Sequence, residues 1–109
     1  MLNIDGLEIE VHKGDTEMFT ITFTGNDAPA DGEKVLVSLK KSVDSENVIW
    51  EKLLTVSEGK ITVGLTSEET NIPYGQYWWD ARILYDDDTV FTPMNPASFK
   101  VLGVIGNVV

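Results

Sequence analysis

The chain predicts an all-β, antiparallel sandwich of about seven strands with one short helical turn near residues 66–71. Apolar and polar residues alternate with a two-residue period in run after run, which is the signature of half-buried pleated strands. Clusters of Gly, Asp, Asn, Pro and Ser separate these runs at intervals of roughly 8–15 residues, as turns require. The stretch Leu65–Tyr85 is the centre of the pattern. It joins a polar turn, a Pro-x-Gly punctuation and the most aromatic run of the chain.

Taken in order, Ile4, Leu7, Ile9 and Val11 form a first strand, with Glu8, Glu10 and His12 facing outward. Lys13-Gly14-Asp15 turns the chain into a second strand, where Phe19, Ile21 and Phe23 alternate with Met18, Thr20, Thr22 and Thr24. Residues 25–32 (GNDAPADG) make a loop. Val35, Val37 and Leu39 then mark a third strand ending near Lys41-Ser42, its other face wet. In residues 48–56 helical and strand periods compete. The alternation of Val48, Trp50, Lys52, Leu54 and Val56, followed by Glu58-Gly59 and by Ile61, Val63 and Leu65, favours a hairpin.

Thr66 or Ser67 suits a helix N-cap, with Glu68 and Glu69 at the positive end of the turn, and Pro73 and Gly75 end it. Tyr77, Trp79, Ala81, Ile83 and Tyr85 then form the buried face of the main strand, and Gln76, Trp78, Asp80, Arg82 and Leu84 its other face. Asp86-Asp87-Asp88 interrupts it. Thr89–Thr92 starts a return strand in which Pro93 and Pro96 bracket a break, as expected for an edge strand, before Phe99 and Val101 resume the buried face. One sandwich domain over 1–103 and an apolar C-terminal tail over 104–109 are expected.

The net charge is −10, from 18 acidic and 8 basic residues, so phosphate backbones and acidic membranes are repelled and neither nucleic acid nor membrane is an expected partner. No apolar run approaches the roughly 18 residues of a membrane span, and the first residues resemble no signal peptide. With no cysteine, thiol catalysis, thiolate metal sites and disulfides are closed off.

His12 is the only histidine, which removes His-dependent triads and multi-His metal sites and argues against a small metal-dependent hydrolase. Asp86, Asp87 and Asp88 offer oxygen ligands for Ca²⁺ without the spacing of an EF-hand loop, and read as a solvated turn. Glu68 and Glu69 are sequence neighbours, not two carboxyls facing each other across a cleft, so glycosidase chemistry is not expected. Arg82 is placed to pair with Asp80. Trp78, with Trp50 and Tyr74, could stack a sugar, so a carbohydrate- or cell-surface-binding module is the alternative reading. No cofactor is expected.

Four segments together, KGDTEMFTITFT, VLVSLKKSVDSENVIWEK, GKITVGLTSEET and NIPYGQYWWDARILYDDDTVFTPMNPASFKVLG, resemble the immunoglobulin-like N-terminal domain of phage baseplate upper proteins and related small phage or prophage structural proteins. The resemblance covers residues 11–103 and is strongest at Lys13-Gly14-Asp15, at residues 65–70 (LTSEET) and at residues 75–80 (GQYWWD). It implies an immunoglobulin-like sandwich and a non-enzymatic baseplate, tail or virion accessory protein. Its partners would be protein subunits, identical or different, with a homo-oligomer among the assemblies. Its place would be the virion, or the host cytoplasm during assembly. A lone domain is expected, without the long C-terminal receptor-facing or linker region of the baseplate proteins, so assembly is expected over receptor binding. The expected contacts are Trp78 with the apolar end of the chain, Leu102, Val104, Ile105, Val108 and Val109.

Overall fold

The computed structural model describes residues 3–4, by backbone alone, and residues 8–104. The strands are β1 (Asn3–Ile4), β2 (Ile9–His12), β3 (Glu17–Thr24), β4 (Lys34–Lys40), β5 (Trp50–Thr55), β6 (Lys60–Leu65), β7 (Gly75–Leu84), β8 (Val90–Phe91) and β9 (Ala97–Leu102), with one helical turn, α1 (Ser67–Thr70), between β6 and β7. They form a three-stranded sheet in the order β1-β3-β6 and a larger sheet in the order β2-β9-β7-β4-β5, with β8 paired to β7. Alternation along the strands sends one residue in two between the sheets. The core is built from Val35, Val37 and Leu39 of β4, Tyr77, Trp79, Ala81 and Ile83 of β7, and Ile61, Val63 and Leu65 of β6, all buried.

This connectivity is immunoglobulin-like. β3, β4, β6, β7 and β9 take the places of strands B, C, E, F and G, and β5 extends the larger sheet beside β4 as a C′ strand does. The Tyr77 hydroxyl donates to the Pro73 carbonyl four residues upstream, which is the tyrosine corner of such domains. Two residues later, where antibody domains carry the second disulfide cysteine, stands Trp79, 1% exposed and edge-on to Phe19 with ring centroids 6.0 Å apart. A large ring therefore fills the position that a disulfide holds elsewhere.

β7 is the hub of the larger sheet. On one side β4 pairs with it from Lys34↔Leu84 to Lys40↔Trp78. On the other side β9 pairs with its first half and β8 with its end, at Ile83↔Phe91 and Leu84↔Val90. Gly75 opens the strand at φ +143, a conformation that side-chain-bearing residues rarely adopt. The β5–β6 hairpin turns on Glu58 and Gly59, both with positive φ (55° and 75°), as a two-residue type I′ turn requires.

Three expectations need correction. The first strand is split between sheets: β1 pairs antiparallel with β3, whereas β2 pairs parallel with β9, so the sandwich is not wholly antiparallel. Leu7, expected in that strand, lies outside the described residues. β9 is an interior strand flanked by β7 and β2, because Pro93 and Pro96 precede the strand and no ladder N–H is asked of either. Tyr85 lies just past β7 and is half-buried, its hydroxyl donating to the Asp27 carbonyl at 2.7 Å.

The helical turn has the expected cap. Thr66 N–H donates to Glu69 Oε1 at 2.9 Å and Glu69 N–H donates to Thr66 Oγ1 at 3.2 Å, a reciprocal capping box. The buried Thr70 hydroxyl donates to the Asp15 carbonyl at 2.6 Å, and Gly14 N–H donates to the Thr70 carbonyl at 3.3 Å. The Lys13-Gly14-Asp15 turn is thereby fastened to α1.

Lys52 Nζ lies 2.7 Å from Glu69 Oε2 and ties β5 to the same turn. Burial raises the Glu69 carboxyl, but the bonds from Lys52 and Thr66 together outweigh it and hold the group below its ordinary value. A carboxylate depressed in the folded state adds stability above its unfolded pKa and loses it as pH falls through the folded one. Glu69→Gln keeps an acceptor for the capping box and removes the ion pair. It is expected to be less stable than wild type by at most about 1 kcal/mol at neutral pH, with the gap closing in acid. Urea melts at neutral and acidic pH check this, and a gap that persisted in acid would refute the ion pair as its source.

Candidate interaction surfaces

Of the expected contact residues, Trp78 and Leu102 do not adjoin each other. Trp78 and Leu102 both project from the outer face of the larger sheet, since their neighbours Tyr77, Trp79 and Val101 are buried inward. Trp78 pairs with Ser98, four residues before Leu102 on β9, which separates the two by about 13 Å along the strand. Leu102 is half-buried and belongs to the last strand, next to His12 of β2. Val104 is 44% exposed. Ile105, Val108 and Val109 lie outside the described residues.

Trp78 is half-buried in a shallow groove of about 140 Å³, between Val43 of the β4–β5 loop and Pro96 of the β8–β9 connection. Asp80 lines the same groove. Burial raises its carboxyl, against the opposing pull of Arg82 and Lys40. The expected Asp80–Arg82 ion pair is not formed: Arg82 Nε donates instead to Thr92 Oγ1 at 3.2 Å, because β8 brings Thr92 alongside β7. Trp50 does not belong to an outward platform. Its ring packs edge-on to the buried Phe99 at 6.1 Å, and its indole N–H is buried without an acceptor among the described residues. Tyr74 is 71% exposed, so stacking of a sugar would rest on Trp78 and Tyr74.

Two surfaces were missed in the sequence. An apolar band crosses the outer face of the larger sheet. Leu53 on β5 stands directly across from Leu36 on β4. Leu84 on β7 lies diagonal to Leu36, and Val90 on β8 is directly across from Leu84. Leu53 is 58% and Val90 51% exposed, and Leu36 and Leu84 are half-buried. Polar pairs rim the band, with Lys34 Nζ donating to Thr55 Oγ1 at 2.6 Å on one side and Arg82 with Thr92 on the other.

The second surface is a groove of about 460 Å³ at the end of the sandwich where the β3–β4 and β7–β8 loops meet. Glu33, 8% exposed, accepts from Ala30 N–H through Oε1 and from Asp86 N–H through Oε2, both at 2.7 Å, and so pins the two loops together. Thr89 holds the Asp87 carboxyl below its ordinary value, first through its side chain and then through its N–H, which donates to Asp87 Oδ1 at 2.9 Å. Asp88 closes the turn at φ 68. No three or more His, Cys, Asp or Glu side chains are grouped to hold a metal ion among the described residues.

The sheets, the tyrosine corner and the strand order define an immunoglobulin-like β-sandwich. No family model matches the chain and no curated protein matches it significantly. Among solved structures it is similar to that titled "The crystal structure of CopC from Methylosinus trichosporium OB3b", with a TM-score of 0.56 and 14% identity over 95% of this chain and 91% of that one. At that identity the likeness bears on the fold alone. No helix among the described residues is long and apolar enough to cross a membrane.

Proposed function

We propose that the chain is a non-enzymatic structural module of a phage or prophage particle, of baseplate, tail or virion accessory kind, that works by protein–protein assembly. The observation that carries the assembly role is the Leu53–Leu36–Leu84–Val90 band, an apolar stripe across four strands, rimmed by polar pairs and covered by no element among the described residues. Monomeric proteins leave few contiguous apolar stripes of this kind in water, and a rimmed one suits a subunit contact. The phage context rests on the resemblance of the four segments quoted above. Their most telling pieces serve the fold: the Lys13-Gly14-Asp15 turn and residues 65–70 lock to each other, and residues 75–80 open the hub strand.

Light scattering over a range of concentrations tests this reading, at physiological and higher salt so that self-repulsion of the charge of −10 is screened. A defined oligomer is expected, reverting to monomer in Leu53→Lys/Val90→Lys with an unchanged melting temperature. Truncation after Gly103 separates the sheet face from Val104 and residues 105–109 as the contact. A chain that stays monomeric at every concentration, and that no other structural protein of the particle retains through the band, would end the proposal.

A further inference from the structure

The groove where the β3–β4 and β7–β8 loops meet combines three features. Its apolar part is Val90 and Phe91, 51% and 45% exposed, which point to opposite faces of β8, and Val90 also ends the band. Its walls are fixed from inside, by Glu33 bonded to both loops and by the Tyr85 hydroxyl on the Asp27 carbonyl. Its charge is of one sign. Asp27, Glu33 and Asp87 line it with no lysine or arginine, and the Asp27 carboxylate has no hydrogen-bond or ion-pair partner among the described residues.

We propose that this groove docks a lysine- or arginine-bearing segment of a partner protein. The inference rests on the assembly reading and names the partner's chemistry. An aliphatic or aromatic side chain of the segment covers Phe91, which stands across from the inward-facing Ile83, while an ammonium or guanidinium reaches Asp27 and Asp87. The Tyr85 and Phe91 rings offer the cation an aromatic surface. The far side of β8 is unpaired among the described residues, so an extended segment can add to the sheet there as it enters. A chain of net charge −10 also draws a basic partner from a distance and discourages a second copy of itself from taking this place.

The test uses three fluorescein-labelled short peptides, alternating Lys/Val, Ser/Val and Glu/Val, titrated with the full chain and read by anisotropy. The Lys/Val peptide is expected to bind at least about tenfold tighter than the other two. Asp27→Asn/Asp87→Asn, which keeps an acceptor for Thr89 N–H, is expected to weaken it about tenfold, and Phe91→Ser to weaken it as well. Asp44→Asn/Glu46→Gln removes the same charge from the β4–β5 loop at the opposite end and is expected to leave binding within about twofold. Equal loss in both double variants would assign binding to net charge and overturn the groove. Equal affinity for the Lys and Glu peptides, or no binding of any, would overturn it too. Light scattering on the same samples keeps the two readings apart: band-dependent oligomers without peptide binding defeat the groove alone, and the loss of both defeats the assembly reading.

Discussion

Trp79→Ala is expected to lower the unfolding free energy by about 3–5 kcal/mol, the range for a buried large aromatic side chain cut to alanine. The cavity has little means of closing. Trp79 lies on the hub strand with a paired neighbour on each side, Leu39 of β4 and Ala97 of β9, so the strand around it is held by two ladders. Phe19 of the facing sheet packs edge-on to this ring, with centroids 6.0 Å apart, and is left without its partner. For a domain with an ordinary stability of about 5–15 kcal/mol the variant sits near the limit of folding. Trp78→Ala, one residue along and on the half-buried outer face, is the control and is expected to lose much less. Urea denaturation of both variants, with the m-value checked for two-state behaviour, decides the matter. A loss below about 1 kcal/mol for Trp79→Ala would mean that the inter-sheet core does not depend on this ring.

The same pair of tryptophans shows what the sequence made legible. In β7 the two-residue period separates a buried face from an outer one, and Tyr77, Trp79, Ala81 and Ile83 are buried as the alternation predicts. The helical turn was legible because its signals are local: Thr66 or Ser67 as N-cap and two glutamates at the positive end need no distant partner to be recognised, and the structure resolves the cap as Thr66 with Glu69 closing the box. Pairing was harder. Periodicity assigns a face to each residue but no neighbour to each strand. Nothing in residues 4–11 announces that Ile4 belongs to one sheet and Ile9 to the other, or that β2 runs parallel to β9. The prolines misled for a related reason, since their effect falls on the connection between β8 and β9 and leaves β9 free to pair on both sides. Trp50 turned inward because the larger sheet extends past β4, giving β5 an inner face over Phe99. The apolar band consists of four residues from four strands, each unremarked as a single apolar side chain on an outer face, and only the register makes them neighbours.

Glu33 was the least legible residue, a lone acid between a turn glycine and a strand, and its replacement is the second large expected effect. Each of its oxygens takes a backbone N–H at 2.7 Å, Ala30 in its own loop and Asp86, 53 positions away in sequence. Glu33→Ala strips both amides of a charged acceptor at a buried site and is expected to destabilise the domain by about 3 kcal/mol, in line with about 1.5–3 kcal/mol for a hydrogen bond to a charged group. Glu33→Gln retains one carbonyl oxygen but turns an NH₂ group toward the other amide, so an intermediate loss is expected, with one loop released and the other kept. Amide hydrogen exchange separates this from a general weakening. Protection should fall at Ala30 and Asp86 in the alanine variant while the β4–β7 ladder keeps its order. If both amides stayed protected and both variants unfolded within about 0.5 kcal/mol of wild type, Glu33 would not be the pin between the loops. The groove stands on the same contact. Asp27 and Asp87 are carried by the two loops that Glu33 joins, so an alanine variant that still folds should lose the Lys/Val peptide even though neither outward carboxylate has been touched.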